Sequence, residues 1–157
     1  MDTFTLRLAT AEDCADIRRL FRDTILTVNT RDYDAAQVAV WSSSAELPDR
    51  WLDRIARQYF LLAERAGELA GFASLEEDCL DLLYVHHAMQ GQGVARLLAE
   101  AIEAEALRRG VRVLRSDVSI TARPFFERRG YVVVRLQEVE RQGVLLRNYK
   151  MEKVLGV

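Results

Sequence analysis

A chain of 157 residues, half of them hydrophobic and 29% charged, is the size of one globular domain with a substantial core. Its formal net charge of -2 argues against a general nucleic-acid surface, and no uninterrupted apolar stretch is long enough to span a bilayer. Met1 to Arg7 holds no charged segment followed by an apolar one, so a cytoplasmic protein without a membrane partner is expected. Cys14 and Cys79 lie far apart, show no metal-ligand spacing and read as simple thiols, so no metal is expected.

Phe4 to Leu8 alternates apolar and polar residues as a half-buried strand does. Thr10, with Asp13 three positions on, marks the start of a helix that carries Ile17, Leu20 and Phe21 and runs to about Val28. Between Asn29 and Ser44 the pattern loosens around one short helix, and Pro48 opens another with Trp51, Leu52 and Ile55. Tyr59–Ala63 and Leu69–Leu75 are strands joined through Ala66-Gly67-Glu68 as a hairpin.

A strand from about Leu80 to Val85 leads into the loop Gln90-Gly91-Gln92-Gly93, and then into a helix with an apolar stripe at Val94, Leu97, Leu98, Ala101 and Ile102. Gly110 stops that helix, and Val111–Ser116 is the next strand. Strand, helix and strand in that order predict a parallel pair with a right-handed crossover. A short helix covers about Ala122–Arg128, and two late strands, Tyr131–Glu140 and Val144–Glu152, fold back around Gln142-Gly143. The expected fold is a single α+β domain spanning residues 1–157, built on a mixed sheet.

Strand, glycine loop and helix start together form a phosphate cradle. Glycine lets the backbone approach an anion, and the free N–H groups of the first helical turn point at it. A dinucleotide fingerprint fails because Arg96 stands where its third glycine belongs, and a P-loop fails because Val94-Ala95 follows Gly93 instead of Lys-Ser/Thr. The spacing Gln/Arg-x-x-Gly-x-Gly/Ala does fit, at Gln90, Gly93 and Ala95.

With Asp81-Leu82-Leu83-Tyr84-Val85-His86 before that loop and Ser119 to Tyr131 after it, the chain resembles the GNAT superfamily of acyl-CoA-dependent N-acetyltransferases over nearly its whole length. The resemblance implies a mostly antiparallel sheet with one splayed parallel pair. Acetyl-CoA would be the co-substrate. Its pantetheine would enter the gap beside Leu83 and Val85, and its pyrophosphate would rest on Gln90, Gly91, Gln92, Gly93, Val94, Ala95 and Arg96. Ser119, where the family often has asparagine, would touch the cofactor, and Phe125 and Phe126 would wall the channel or simply pack the helix.

The implied reaction is direct attack of a primary amine on the thioester within a ternary complex. A backbone N–H near Val85 would face the developing oxyanion. Asp81, on the same strand face as Leu83 and Val85 by alternation, and Asp117, at the end of the following strand, are candidate bases. Each also reads as a solvated strand-end carboxylate. His86 and His87 have suitable intrinsic pKa values but fall where the loop leaves the sheet. Phe126 occupies a position where many relatives carry a proton-donating tyrosine, which leaves Tyr84, Tyr131 and Tyr149 as the available phenols. Tyr84 adjoins Val85, although alternation sets it opposite Asp81 and core packing is its plainer role.

Acceptor specificity would fall in Thr30–Trp41, either as a lid over the amine site or as ordinary packing by Tyr33 and Trp41. The amine acceptor itself, whether small molecule, peptide or protein, is not written in these residues. A homodimer through the late strands is compatible with the sequence. A non-catalytic acyl-CoA-binding or sensor module is the alternative reading, because Phe126 cannot donate a proton.

Overall fold

The computed structural model describes residues 3–156; Met1 and Asp2, which begin the stretch read above for a targeting signal, and Val157 lie outside them. Chain order is β1 (Thr5–Leu8), α1 (Cys14–Thr27), α2 (Ala35–Ser42), α3 (Pro48–Arg57), β2 (Tyr59–Arg65), β3 (Glu68–Glu76), β4 (Cys79–Val85), α4 (Val94–Arg108), β5 (Val113–Ser119), α5 (Arg123–Arg128), β6 (Val132–Arg141) and β7 (Val144–Val154). Among the described residues seven strands form one sheet in the order β1-β2-β3-β4-β5-β7-β6, and only β4 and β5 run parallel. No helix among the described residues is long and apolar enough to cross a membrane.

Alternation along each strand feeds two cores. On one face Leu61, Ala63, Leu80, Val85, Leu114, Val118 and Met151 meet Val94, Leu98 and Ile102 of α4 and Phe126 of α5. On the other, Phe60, Leu62, Phe72 and Leu82 meet Ile17, Phe21 and Ile25 of α1, together with Tyr33, Val38 and Trp51. The loosened region after α1 is one helix between two 3₁₀ turns, Asn29–Arg31 and Ser43–Glu46, as its pattern suggested. Strand β5 runs on to Ser119, because β7 pairs with it as far as Ser119↔Asn148; Asp117 therefore sits inside the strand, not at its end.

Gly71 sets how closely α4 approaches the sheet. A Cβ there would lie 2.8 Å from the Tyr84 carbonyl oxygen, 3.0 Å from Val94 Cγ1 and 3.2 Å from Leu98 Cδ1. Two of those atoms belong to the start of α4, so a side chain at Gly71 would push out the helix end that the glycine loop feeds. Gly71→Ala is expected to cost about 1–3 kcal/mol, the usual range for overpacking, measured by urea unfolding; an unchanged midpoint would show that α4 is free to shift.

Candidate active site

The parallel pair parts almost as soon as it forms. Its ladder holds the single register pair Cys79↔Arg115, with Arg115 N–H donating to the Asp78 carbonyl at 2.9 Å. One residue further on, the Ser116 hydroxyl donates to the Leu80 carbonyl at 2.8 Å and is the last tie. Beyond it β4 follows β3 and β5 follows β7, and among the described residues no hydrogen bond joins 81–85 to 117–119. The result is a cleft of about 990 Å³ walled by both strands, the glycine loop and the Asn29–Tyr33 segment.

A β-bulge sets what β4 shows to that cleft. Ser74 pairs with Leu82 and Leu75 with Leu80, which leaves Asp81 unopposed. The extra residue reverses the alternation, so the expectation that Asp81 shares a face with Leu83 and Val85, opposite Tyr84, is corrected. Asp81 turns toward α3, accepting from Gln58 Nε2 at 2.9 Å with Arg54 Nε 3.9 Å away. Tyr84 faces the same side, edge-on to Phe21 at 4.9 Å and tilted against Phe72 at 5.5 Å.

Past the bulge, His86 N–H donates to the Ala70 carbonyl of β3 at 2.8 Å. Since N–H and C=O groups change sides at each residue of a strand, those of Leu83 and Val85 point into the gap. The Val85 carbonyl is already claimed twice, by Thr24 Oγ1 at 3.0 Å and Gln90 Nε2 at 2.9 Å. Its N–H and the backbone groups of Leu83 remain available to a guest.

At the loop, Gly91 has φ 74° and Gly93, the residue before α4, has φ 86°. Both lie in the left-handed region that a side chain disfavours, while nothing crowds the position a Cβ would take. The first intrahelical bond runs from Leu97 N–H to the Gly93 carbonyl, so the amides of Val94, Ala95 and Arg96 have no partner within the helix. Gln92 accepts from Arg65 at 2.9 Å, and Arg96 pairs with Glu100 at 3.0 Å while lining the cleft.

The other expected residues divide clearly. Asp117 lines the cleft and accepts from Gln137 Nε2 at 2.9 Å. Ser119 lines it too, but its oxygen accepts from Ala122 N–H at 3.1 Å and so closes the turn into α5. Phe125 and Phe126 wall it, and Phe126 is also core, with its ring edge-on to Tyr131 at 4.9 Å. Tyr131 is drawn away, donating to Glu103 at 2.8 Å, and Tyr149 lies under the Arg123 guanidinium. His86 and His87 stack on each other at 4.4 Å and are not among the cleft's lining residues. Of the three phenols considered, only Tyr84 lines the cleft; burial pushes its pKa upward, so it stays neutral and able to donate.

Thr24 escaped sequence reasoning altogether, and Tyr33, read there as lid or packing, has hydroxyl bonds that reasoning did not foresee. Thr24, in mid-helix, carried no motif, and its role emerges only where α1 crosses the end of β4. Tyr33 lines the cleft while accepting from Ile120 N–H at 3.0 Å and donating to the Arg147 carbonyl. With Gln37 Nε2 donating to the Leu145 carbonyl at 2.9 Å, it fastens the Asn29–Ser42 segment to β7. That segment is thus both packing and cleft wall. Arg31 and Arg141 also line the cleft, and among the described residues neither lies within 4.0 Å of a carboxylate.

Cys79 sits beside Asp81 and Asp117, but burial first and those carboxylates second push its thiol up to about 12. A protonated thiol is a poor nucleophile, and Cys79 is not among the cleft's lining residues. Cys79 should therefore resist iodoacetamide in the native protein at pH 8, followed by mass spectrometry; rapid alkylation there would contradict this environment.

A mixed sheet whose single parallel pair among the described residues parts beside a glycine-led helix start is the arrangement that the resemblance to the GNAT superfamily implied. The acetyltransferase (GNAT) domain family matches residues 29–153. An uncharacterized N-acetyltransferase of Escherichia coli K12, YafP, is 30% identical over 152 residues, 96% of each chain. A GCN5-related N-acetyltransferase structure from Rhodopseudomonas palustris is 36% identical, with TM-score 0.95 over 99% of this chain and 98% of that one. The PaiA N-acetyltransferase of Thermoplasma acidophilum, solved with coenzyme A, shares the fold at 18% identity, with TM-score 0.78 over 97% of this chain and 99% of that one. The chain belongs to the GNAT acetyltransferase family.

Proposed function

We propose that this acetyltransferase moves an acetyl group from acetyl-CoA to a primary amine by direct attack within a ternary complex. The observation that carries the reading is the gap between β4 and β5, which opens beside the unpartnered amides at the start of α4. A thioester arm fits such a gap, and a pyrophosphate suits amides at the positive end of a helix dipole. The presence of coenzyme A in the Thermoplasma acidophilum structure supports the same donor.

In this reading Gln90 to Arg96 receive the pyrophosphate, and Leu83 offers its backbone N–H and C=O to the amides of the arm. The Val85 N–H stabilises the oxygen that gains charge as the amine adds to the thioester carbon. The amine attacks as the neutral base, the C–N bond forms, and the C–S bond breaks to release the thiolate. Asp81 of β4 and Asp117 of β5 are the strand carboxylates that line the cleft, and the proton shed by nitrogen passes to one of them directly or through water. Tyr84, held neutral, donates a hydrogen bond to the departing sulfur; full protonation by a phenol of raised pKa is uphill, and solvent completes it. Ser119, Phe125 and Phe126 flank the arm on the α5 side.

Release of free thiol from acetyl-CoA across a panel of amines tests the reaction. Gly93→Val should raise the KM for acetyl-CoA through strain at a positive φ, with kcat changed less. Asp81→Asn combined with Asp117→Asn should lower kcat by about 10²–10⁴, the usual worth of general base catalysis, while acetyl-CoA binding by calorimetry is retained. Binding without thiol release from any amine would instead favour an acyl-CoA-binding module.

A further inference from the structure

We infer that Thr24 is a positioning residue for the transfer step, acting through the Val85 backbone; this rests on the donor site proposed above. Thr24 lies in the last turns of α1, is buried, and is one of the cleft's lining residues. Its hydroxyl spans 61 positions of sequence to reach the Val85 carbonyl at 3.0 Å. Gln90 Nε2 donates to the same oxygen at 2.9 Å from the opposite side in sequence, at the entry to the glycine loop.

Strand β4 has lost its β5 neighbour at this point, so no ladder bond holds the gap side of Val85. A free strand end with one edge unpaired would sample a range of peptide orientations. The two side-chain donors replace the missing ladder at a carbonyl that has two lone pairs to fill, and His86 N–H anchors the same peptide plane to Ala70 on the other edge. A peptide pinned on both edges fixes the backbone at Val85, and with it the direction of the Val85 N–H into the gap. The clamp also withholds the Val85 carbonyl from the donor arm, leaving the Leu83 carbonyl as the gap-facing acceptor on β4. Because α1 continues directly into the Asn29–Tyr33 wall, the same helix fixes that wall and the amide aimed at the thioester.

The test compares Thr24→Val, which keeps shape and removes the donor, with Thr24→Ser, which restores it. Thr24→Val should lower kcat by about tenfold to a hundredfold, as a small misplacement of a reacting group does, while the KM for acetyl-CoA stays within about twofold, well under the factor of ten that 1.4 kcal/mol represents. Thr24→Ser should recover most of that loss. In combination with Gln90→Leu the effects should be non-additive, because both donors share one acceptor.

A Thr24→Val enzyme with unchanged kcat overturns the inference. So does a Thr24→Ser enzyme as impaired as Thr24→Val, or a loss that appears only in acetyl-CoA affinity or in thermal stability. Wild-type protein assayed alongside separates the two levels: no thiol release from any amine overturns the proposed reaction and this inference with it, whereas an active wild type with an indifferent Thr24→Val overturns the inference alone.

Discussion

The cleft depends on a ladder that stops early. Parallel strands normally continue pairing for as long as both remain extended, since each unpaired backbone group that loses water is costly. Here β4 and β5 share one register pair and one side-chain tie at Ser116, and then each follows its other neighbour. The bulge at Asp81 increases the local twist of β4, and pairing as far as Ser119↔Asn148 keeps β5 with β7. Between them lies a slot lined with backbone N–H and C=O groups, suited to an extended amide-bearing arm.

That slot divides the molecule chemically. On the α4 face the helix start, with Gly91 and Gly93 in left-handed conformation, presents unpartnered amides to an anion. On the α1 face the cleft carries Asp81, Asp117 and Tyr84, with Arg31 and Arg141 at its rim. Each carboxylate has a neutral amide donor, Gln58 to Asp81 and Gln137 to Asp117, and Asp81 also has the Arg54 guanidinium 3.9 Å away. Amide donors fix a carboxylate's direction without adding a full positive charge beside it.

Much of the fold was legible because the signals were local. Thr10 with Asp13, Pro48, Gly93 and Gly110 mark element ends by their own backbone chemistry, and β4, α4 and β5 followed from periodicity and order. The glycine loop and its place before α4 were legible for the same reason. What could not be read was non-local. One added residue opposite Ser74 and Leu75 turned Asp81 to the Tyr84 side, and a bulge leaves no trace in the alternation of a seven-residue strand. Thr24 and Tyr33 act across 61 and 114 positions of sequence, through hydroxyls that look like ordinary helix and loop residues until the sheet brings their partners near. Ser119 stood out by its place in the motif, but its part in closing the α5 turn needed coordinates.

Backbone amide hydrogen exchange, followed residue by residue with and without saturating acetyl-CoA, tests most directly whether the parted strands are the donor site. Slower exchange at Leu83, Val85, Val94, Ala95 and Arg96 is the predicted result. Unchanged exchange at these amides, or protection confined to other segments, would contradict it.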